Sequence, residues 1–256
     1  MKCMLNPKLN IGEGHSKIVV SLLGENLEKL SRQIKDILSS HRYVDIVELR
    51  ADYFSDETLA NLEQFLTALQ EELNGIPILF TYRTKGQGGH GDYSSDEYFE
   101  LLQRAIQHPA IELVDIEMLM YDDIVKPLID LSRSEAVGVV LSYHNFEYTP
   151  KFKELMAIYT SMQEMGGDIL KVAVMPETGH DVLVLLQAVF EAKQQVSQYI
   201  VGISMSELGK ISRIAGGVFG SCITFGAITE SAAPGQLHVD ILKNQLEMYE
   251  GSQHES

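Results

Sequence analysis

Eight short runs rich in β-branched residues recur along this chain at fairly even intervals, and helical periodicity fills most of the gaps between them. The runs are 17–22, 43–50, 77–82, 112–117, 137–143, 168–174, 199–204 and 217–223. Between the first two, Leu27, Leu30, Ile34 and Ile37 share one helical face behind Asn26, a residue suited to capping. Between the second and third, Leu59, Leu62, Phe65, Leu66 and Leu69 share another behind Ser55. Strands separated by helices pair in parallel, because a parallel pair needs a long crossover connection. Eight such units favour an α/β fold closed as a (β/α)8 TIM barrel over an open sheet. No linker interrupts the series, so residues 1–256 are expected to form a single domain, with 250–256 as a disordered tail.

Composition narrows the partners. The formal charge of −16, with no basic footprint, argues against nucleic acid. Cations gather instead near strand ends, as Arg50, Arg83, Lys85 and Arg213, which suits a small anionic substrate. Cys3 and Cys222 lie far apart without ligand spacing, which predicts neither a disulfide framework nor a zinc site and points to a reducing cytoplasm. The first residues lack an apolar signal segment, and no run is long enough to cross a membrane, so no membrane partner is expected.

In such a barrel the active site lies at the carboxyl ends of the strands, and polar residues collect there. Glu48 and Arg50 close the second run, Arg83 the third, Asp115 and Glu117 the fourth, Ser142 and His144 the fifth, and Met205 with Ser206 the seventh. Glu48/Arg50 and Asp115/Glu117 are each spaced by two, so both members of a pair face one side of a strand. Lys171 is a lone cation inside the apolar sixth run. It either snorkels to water or serves as an amine nucleophile, and Val172, Ala173 and Val174 beside it favour the desolvated amine. His144 taken singly reads as a structural histidine; if the fifth and sixth strands are neighbours, it becomes an acid/base beside that amine. Metal binding by His144 is disfavoured, since no second His or Cys stands at ligand spacing.

Gly86-Gln-Gly-Gly-His-Gly91 matches G-x-G-x-x-G, but Arg83-Thr-Lys85 separates it from the strand and 92–96 separate it from the next helix. A pyrophosphate would then miss the helix N-terminus, so a mobile glycine loop over a pocket fits better than a dinucleotide site. Pro234-Gly235 stand in the order a type II turn prefers, aiming Gln236 at the barrel mouth; an ordinary surface turn is the alternative. Arg213 is either a solvated helix residue or a carboxylate clamp.

Taken together, Glu48-Leu-Arg50, Tyr82-Arg83 with the following Gly-Gly, Asp115-Ile-Glu117, Ser142-Tyr-His-Asn-Phe146, Ile169-Leu-Lys-Val-Ala173 and Ala233-Pro-Gly-Gln236 resemble type I 3-dehydroquinate dehydratase, nearly end to end. The resemblance implies a homodimeric, cytoplasmic barrel that uses no metal or nucleotide cofactor. Such an enzyme converts 3-dehydroquinate to 3-dehydroshikimate in the shikimate pathway. It implies Lys171 as the Schiff-base lysine and His144 as general acid/base. Ser21, Glu48, Arg50, Arg83 and Ala232 match substrate-binding positions, Arg213 the carboxylate-binding arginine, and Gln236 a glutamine over the bound ring. Asp115, Glu117 and Gln87 are expected behind these, balancing charge and orienting His144 or Lys171. Residues 1–16 are expected to cap the barrel floor. Two departures stand out: Gln87 lies where many relatives carry Glu, and Ala232 where Ser is common. The rival readings are another Schiff-base lyase, such as an aldolase, and a non-catalytic sugar-acid binder.

Overall fold

The structure, a computed structural model, describes residues 9–40, 43–118, 122–228 and 231–250. A parallel sheet forms its centre: β1 (Lys17–Leu22), β2 (Ile46–Arg50), β3 (Ile78–Thr81), β4 (Leu113–Glu117), β5 (Gly138–Asn145), β6 (Ile169–Val174), β7 (Tyr199–Ser204), β8 (Ile223–Ala227) and the two-residue β9 (Leu237–His238). The order is β7-β6-β5-β4-β3-β2-β1-β8-β9, and β7 returns to the β8 side through an Ile200–Ser221 bridge. The architecture is that of an α/β barrel, with helices α1 (Leu27–Ser39), α2 (Asp56–Ala60), α3 (Leu62–Glu72), α4 (Ser95–Ile106), α5 (Asp122–Ser134), α6 (Phe152–Met165), α7 (Gly179–Gln195), α8 (Lys210–Ile214) and α9 (Val239–Glu250) following the strands.

Local chemistry explains most boundaries. Asn26 accepts from the Lys29 N–H at 3.1 Å and starts α1, which buries Leu30, Ile34 and Ile37. Ser55 caps in the same way, but the single helix expected behind it is two. The Asn61 side chain donates to the Glu57 carbonyl at 2.9 Å, and its non-helical backbone separates α2 from α3. The eighth strand also differs from expectation. Residues 216–219 form a 3-10 turn ended by Gly220 at φ +112°, and β8 begins only at Ile223. The glycines that dilute 216–220 favour a turn, and the true strand carries its own glycine, Gly226, which masks it.

Period-two alternation sorts the barrel into layers. Outward residues such as Ile18, Val20, Val47 and Leu49 pack against the helices. Inward, Val19, Ile46, Leu79, Leu113, Val140, Ile169, Val201 and Ile223 supply one apolar side chain per strand and fill the floor, with Leu9 and Ile11 packed into the same cluster. Residues 1–8 of the expected cap and 251–256 of the expected tail lie outside the described residues. Glu250, taken as the first tail residue, instead ends α9 and is buried, accepting from the Ser16 N–H at 2.6 Å. No helix among the described residues is long and apolar enough to cross a membrane.

Candidate active site

Two residues above the apolar floor, the inward positions turn polar: Ser21 on β1, Glu48 on β2, Thr81 on β3, Asp115 on β4, Ser142 on β5 and Lys171 on β6. All six are buried. On β7 and β8 the same level stays apolar, with Ile203 and Phe225. One rung higher stand Arg50, Arg83, Glu117, His144, Ala173 and Met205. Glu48, Arg50, Arg83, Gln87, His144, Lys171, Arg213, Ala232 and Gln236 line a single cavity at this end of the barrel.

Register brings Ser142 beside Lys171 and His144 beside Ala173, so imidazole and amine rise from adjacent strands, one rung apart. Lys171 Nζ lies 3.4 Å from Asp115 Oδ2 and 4.0 Å from Glu48 Oε1, with the Phe225 ring centroid 4.4 Å away. Burial lowers its pKa from the ordinary lysine value; Asp115 and Glu48 pull it back and Arg83 pushes it further down, leaving a net decrease. The amine is therefore easier to deprotonate than a surface lysine.

Gln87 controls His144. Its Oε1 accepts the His144 backbone N–H at 2.9 Å and lies 3.0 Å from Nδ1, while its Nε2 donates to the Met118 carbonyl at 3.0 Å. Those two backbone partners fix which way the amide faces, so Nδ1 must donate and Nε2 carries the free lone pair. Burial, then the charges of Arg83, Lys171 and Arg50, holds the imidazolium pKa well below its usual value. A neutral imidazole with Nε2 free is a base in form.

The arginines differ sharply. Arg83 is held by Asp115 Oδ2 at 2.7 Å, Glu117 Oε1 at 2.8 Å and Ser142 Oγ at 3.0 Å. Arg50 makes a two-point pair with Asp52 at 2.7 and 2.8 Å. Arg213 is 1% exposed and donates only to backbone carbonyls, to Pro234 at 2.9 Å and Phe225 at 3.4 Å, with Nε unpaired. Burial alone lowers its pKa to about 10. Among the described residues no carboxylate pairs with this buried cation, which suits an anionic ligand.

Several expectations need correction. Ser21 does not line the cavity: β1–β2 register sets it beside Glu48, and its hydroxyl donates to Glu48 Oε2 at 2.5 Å. Glu117 touches neither His144 nor Lys171; it binds Arg83, the Thr84 N–H at 2.9 Å and the Thr84 hydroxyl at 2.6 Å. The glycine segment, expected as a loop over a pocket, forms a hydrogen-bonded turn whose Gln87 and Gly88 line the cavity. Gly89 N donates to Thr84 O at 2.9 Å and Gly91 N to Arg83 O at 2.9 Å, while a Cβ on Gly88 (φ +82°) would lie 2.2 Å from the Phe146 ring. Met205, grouped with the polar strand ends, belongs to an apolar wall with Ala173, Ile203 and Phe225. Ser231 turns its hydroxyl to Ala233 O at 2.7 Å and Gln236 Oε1 at 3.2 Å, and the same Gln236 oxygen accepts the Ala232 N–H at 2.8 Å.

Asp52, Phe146 and Phe225 were not singled out from sequence. Asp52 follows Arg50 by two and receives, besides that arginine, the His90 N–H at 3.1 Å and the Arg83 N–H at 3.3 Å; that spacing was the available signal. Phe225 was hidden by the misplaced eighth strand. Among the described residues, no group of three or more His, Cys, Asp or Glu side chains is arranged to hold a metal.

The fold and site together define a (β/α)8 barrel with a lysine-centred cavity lined by three arginines and by an apolar wall from β6, β7 and β8. Residues 18–253 match the family model described as type I 3-dehydroquinase. The chain is 40% identical over 237 residues to the 3-dehydroquinate dehydratase of Staphylococcus saprophyticus, covering 91% of this chain and 98% of that one. It is 36% identical over 242 residues to that of Clostridioides difficile, covering 94% of each. Among solved structures, the type I 3-dehydroquinate dehydratase from Clostridium difficile with covalent modified comenic acid superposes with a TM-score of 0.89 at 35% identity, covering 94% of this chain and 95% of that one. The 3-dehydroquinate dehydratase from Geobacillus kaustophilus gives 0.90 at 32% identity, covering 95% of each. The chain belongs to the type I 3-dehydroquinase family.

Proposed function

We propose that this chain dehydrates 3-dehydroquinate to 3-dehydroshikimate through a Schiff base on Lys171, as a step of the shikimate pathway. The observation that carries this reading is the buried Lys171 amine, lowered in pKa and one rung from a His144 whose Nε2 is free. The substrate's C2 proton is too weakly acidic for quick removal while C3 is a ketone. The neutral amine adds to C3 to give a carbinolamine. One N–H proton passes to oxygen as the carbinolamine forms, and its hydroxyl then leaves as water with a single proton from a general acid, leaving an iminium. His144 Nε2 then takes the C2 proton; the C–H electron pair forms a C2=C3 double bond and the C=N π pair moves onto nitrogen, giving an enamine. The enamine expels the tertiary hydroxyl, which leaves as water with the proton His144 had taken. Hydrolysis of the conjugated iminium releases product and amine.

Arg213 pairs with the substrate carboxylate through its planar fork. Glu48 and Arg50 bind ring hydroxyls, and Ala232 and Gln236 close over the ring. Arg83, already held by Asp115, Glu117 and Ser142, contributes fixed positive charge. Asp115, which touches both Arg83 and Lys171, keeps that charge from expelling protons from the lysine altogether. The homodimer and cytoplasmic setting implied by the resemblance belong to the same reading; exposed Leu183 and Phe190 on α7 and Ile241 and Met248 on α9 are candidate dimer contacts that sedimentation can check.

Borohydride added during turnover is expected to leave a reduced adduct on Lys171, located by mass spectrometry, alongside ultraviolet absorbance from the conjugated product. An adduct on another lysine would remove Lys171 from this role.

A further inference from the structure

Lys171 Nζ sits 4.4 Å from the centroid of the Phe225 ring, within cation–π range, and both residues are buried. Its carboxylate neighbours are less close than the 2.7–2.9 Å expected of a tight charged hydrogen bond: Asp115 is at 3.4 Å and Glu48 at 4.0 Å. Asp115 is also committed to Arg83 at 2.7 Å and to the Ser142 hydroxyl at 2.6 Å. The backbone that carries the ring is fixed, since Phe225 pairs with Val19 in the β8–β1 ladder and its carbonyl receives Arg213.

The chemistry at this nitrogen makes the ring more important as the reaction proceeds. An ammonium has three N–H donors to share among acceptors, but a protonated imine has one. Attraction to the face of an aromatic ring depends on positive charge alone and survives that loss. The lysine chain tethers the nitrogen, so it stays near the ring in either form. We propose that Phe225 is a positioning residue that holds positive charge on the Lys171 nitrogen and keeps the covalent imine protonated, the form that accepts electrons from C2. This rests on the imine chemistry proposed above. A neutral carbinolamine or enamine gains nothing from the ring, so Phe225 sets how much protonated imine accumulates and leaves the identity of the base untouched.

The test is a graded series in the full-length chain, with Phe225 replaced by 4-fluoro-, 3,5-difluoro- and 3,4,5-trifluorophenylalanine, and by Phe225→Leu. Fluorination weakens the negative ring face while leaving its shape nearly unchanged. Borohydride reduces the protonated imine, so the initial rate of Lys171 adduct formation at saturating 3-dehydroquinate reports its population. That rate is expected to fall stepwise with fluorine number, by about two- to thirty-fold across the series, the span of cation–π pairs from exposed to desolvated. The urea midpoint should hold steady across the fluorinated variants, and Phe225→Leu should trap no better than the trifluoro form. Equal trapping rates throughout the series would overturn the proposal while leaving the Schiff base intact. Absence of any Lys171 adduct in the unmodified chain would overturn both.

Discussion

Gln87→Glu exchanges a neutral amide for a carboxylate at the atom that holds His144. In the present chain burial, followed by the fields of Arg83, Lys171 and Arg50, keeps the imidazolium pKa well below 6.5. Gln87 Oε1, at 3.0 Å from Nδ1, orients the ring without offering it a counter-charge. A carboxylate about 4 Å from an imidazolium attracts it by about 4 kcal/mol at an effective dielectric constant near 20. Part of that is lost, because the carboxylate must itself be desolvated and one oxygen would face the Met118 carbonyl, to which the amide now donates at 3.0 Å. The net expectation is a rise of about one to three units in the His144 pKa.

The sign of the kinetic effect follows from the role assigned to His144. A base must be neutral, so the rate falls as pH drops through its pKa, and raising that pKa moves the acid limb of kcat to higher pH by the same one to three units. Enone absorbance measured across the pH range gives the limb directly. Gln87→Met separates charge from orientation: the limb should remain low while kcat falls at every pH, because nothing then holds Nδ1 as the donor. Stability supplies an independent reading. The unfolded chain takes up a proton on His144 below about pH 6.5 while the folded chain does not, so stability declines as pH falls through that region, and the decline should be smaller in Gln87→Glu. An acid limb that stays in place or moves down in a well-folded Gln87→Glu would refute the reasoning.

Arg213→Lys keeps the charge but loses the fork, and is expected to raise KM for 3-dehydroquinate by about ten- to a hundredfold with a smaller change in kcat; an unchanged KM would exclude Arg213 as the carboxylate partner. Asp115→Asn removes the anion shared by Arg83 and Lys171, and is expected to cost about 3–5 kcal/mol in urea denaturation, as breaking a buried ion pair does. A loss under about 1 kcal/mol would mean that Glu117 and Glu48 neutralise those cations unaided.

The barrel was legible in the sequence because burial on both faces forces parallel strands to be apolar runs. Seven of the eight expected runs match strands to within a few residues at each end. The eighth failed because Gly226 sits inside the real strand, where contact with Leu242 and Val239 leaves no room for a side chain. That single displacement concealed Phe225, and with it the aromatic face against Lys171. Spacing by two correctly grouped Glu48 with Arg50 and Asp115 with Glu117, since alternation is a property of one strand. Spacing could not say which neighbour each would bind. Glu117 turned to Arg83 and Thr84 and Ser21 to Glu48 because lateral register, a product of closure, decides those pairs.

Closure also explains how Arg213, on a helix outside the strand series, comes to line the same cavity as strand residues. Other neighbouring barrel strands share ladders of several residues, whereas β7 and β8 meet through the Ile200–Ser221 bridge. Backbone groups left over at such a seam need partners. α8 supplies them: the Ser204 N–H donates to Ser212 Oγ at 2.9 Å, the Thr224 hydroxyl donates to the Arg213 carbonyl at 2.9 Å, and the Phe225 carbonyl receives the Arg213 guanidinium. The Arg213 guanidinium, carried by α8 in the β7–β8 connection, donates to the Phe225 carbonyl and lines the cavity. The same guanidinium donates to Pro234, in the turn that carries Ala232 and Gln236, and the Gly235 backbone lies so close to Ser206 that a Cβ there would sit 2.2 Å from its carbonyl oxygen. An anion bound at Arg213 must therefore share its donors with the covering turn. On the proposed role of Arg213, carboxylate recognition and closure over the ring would be coupled through one side chain, in the connection that also supplies Ser221 to the Ile200–Ser221 bridge.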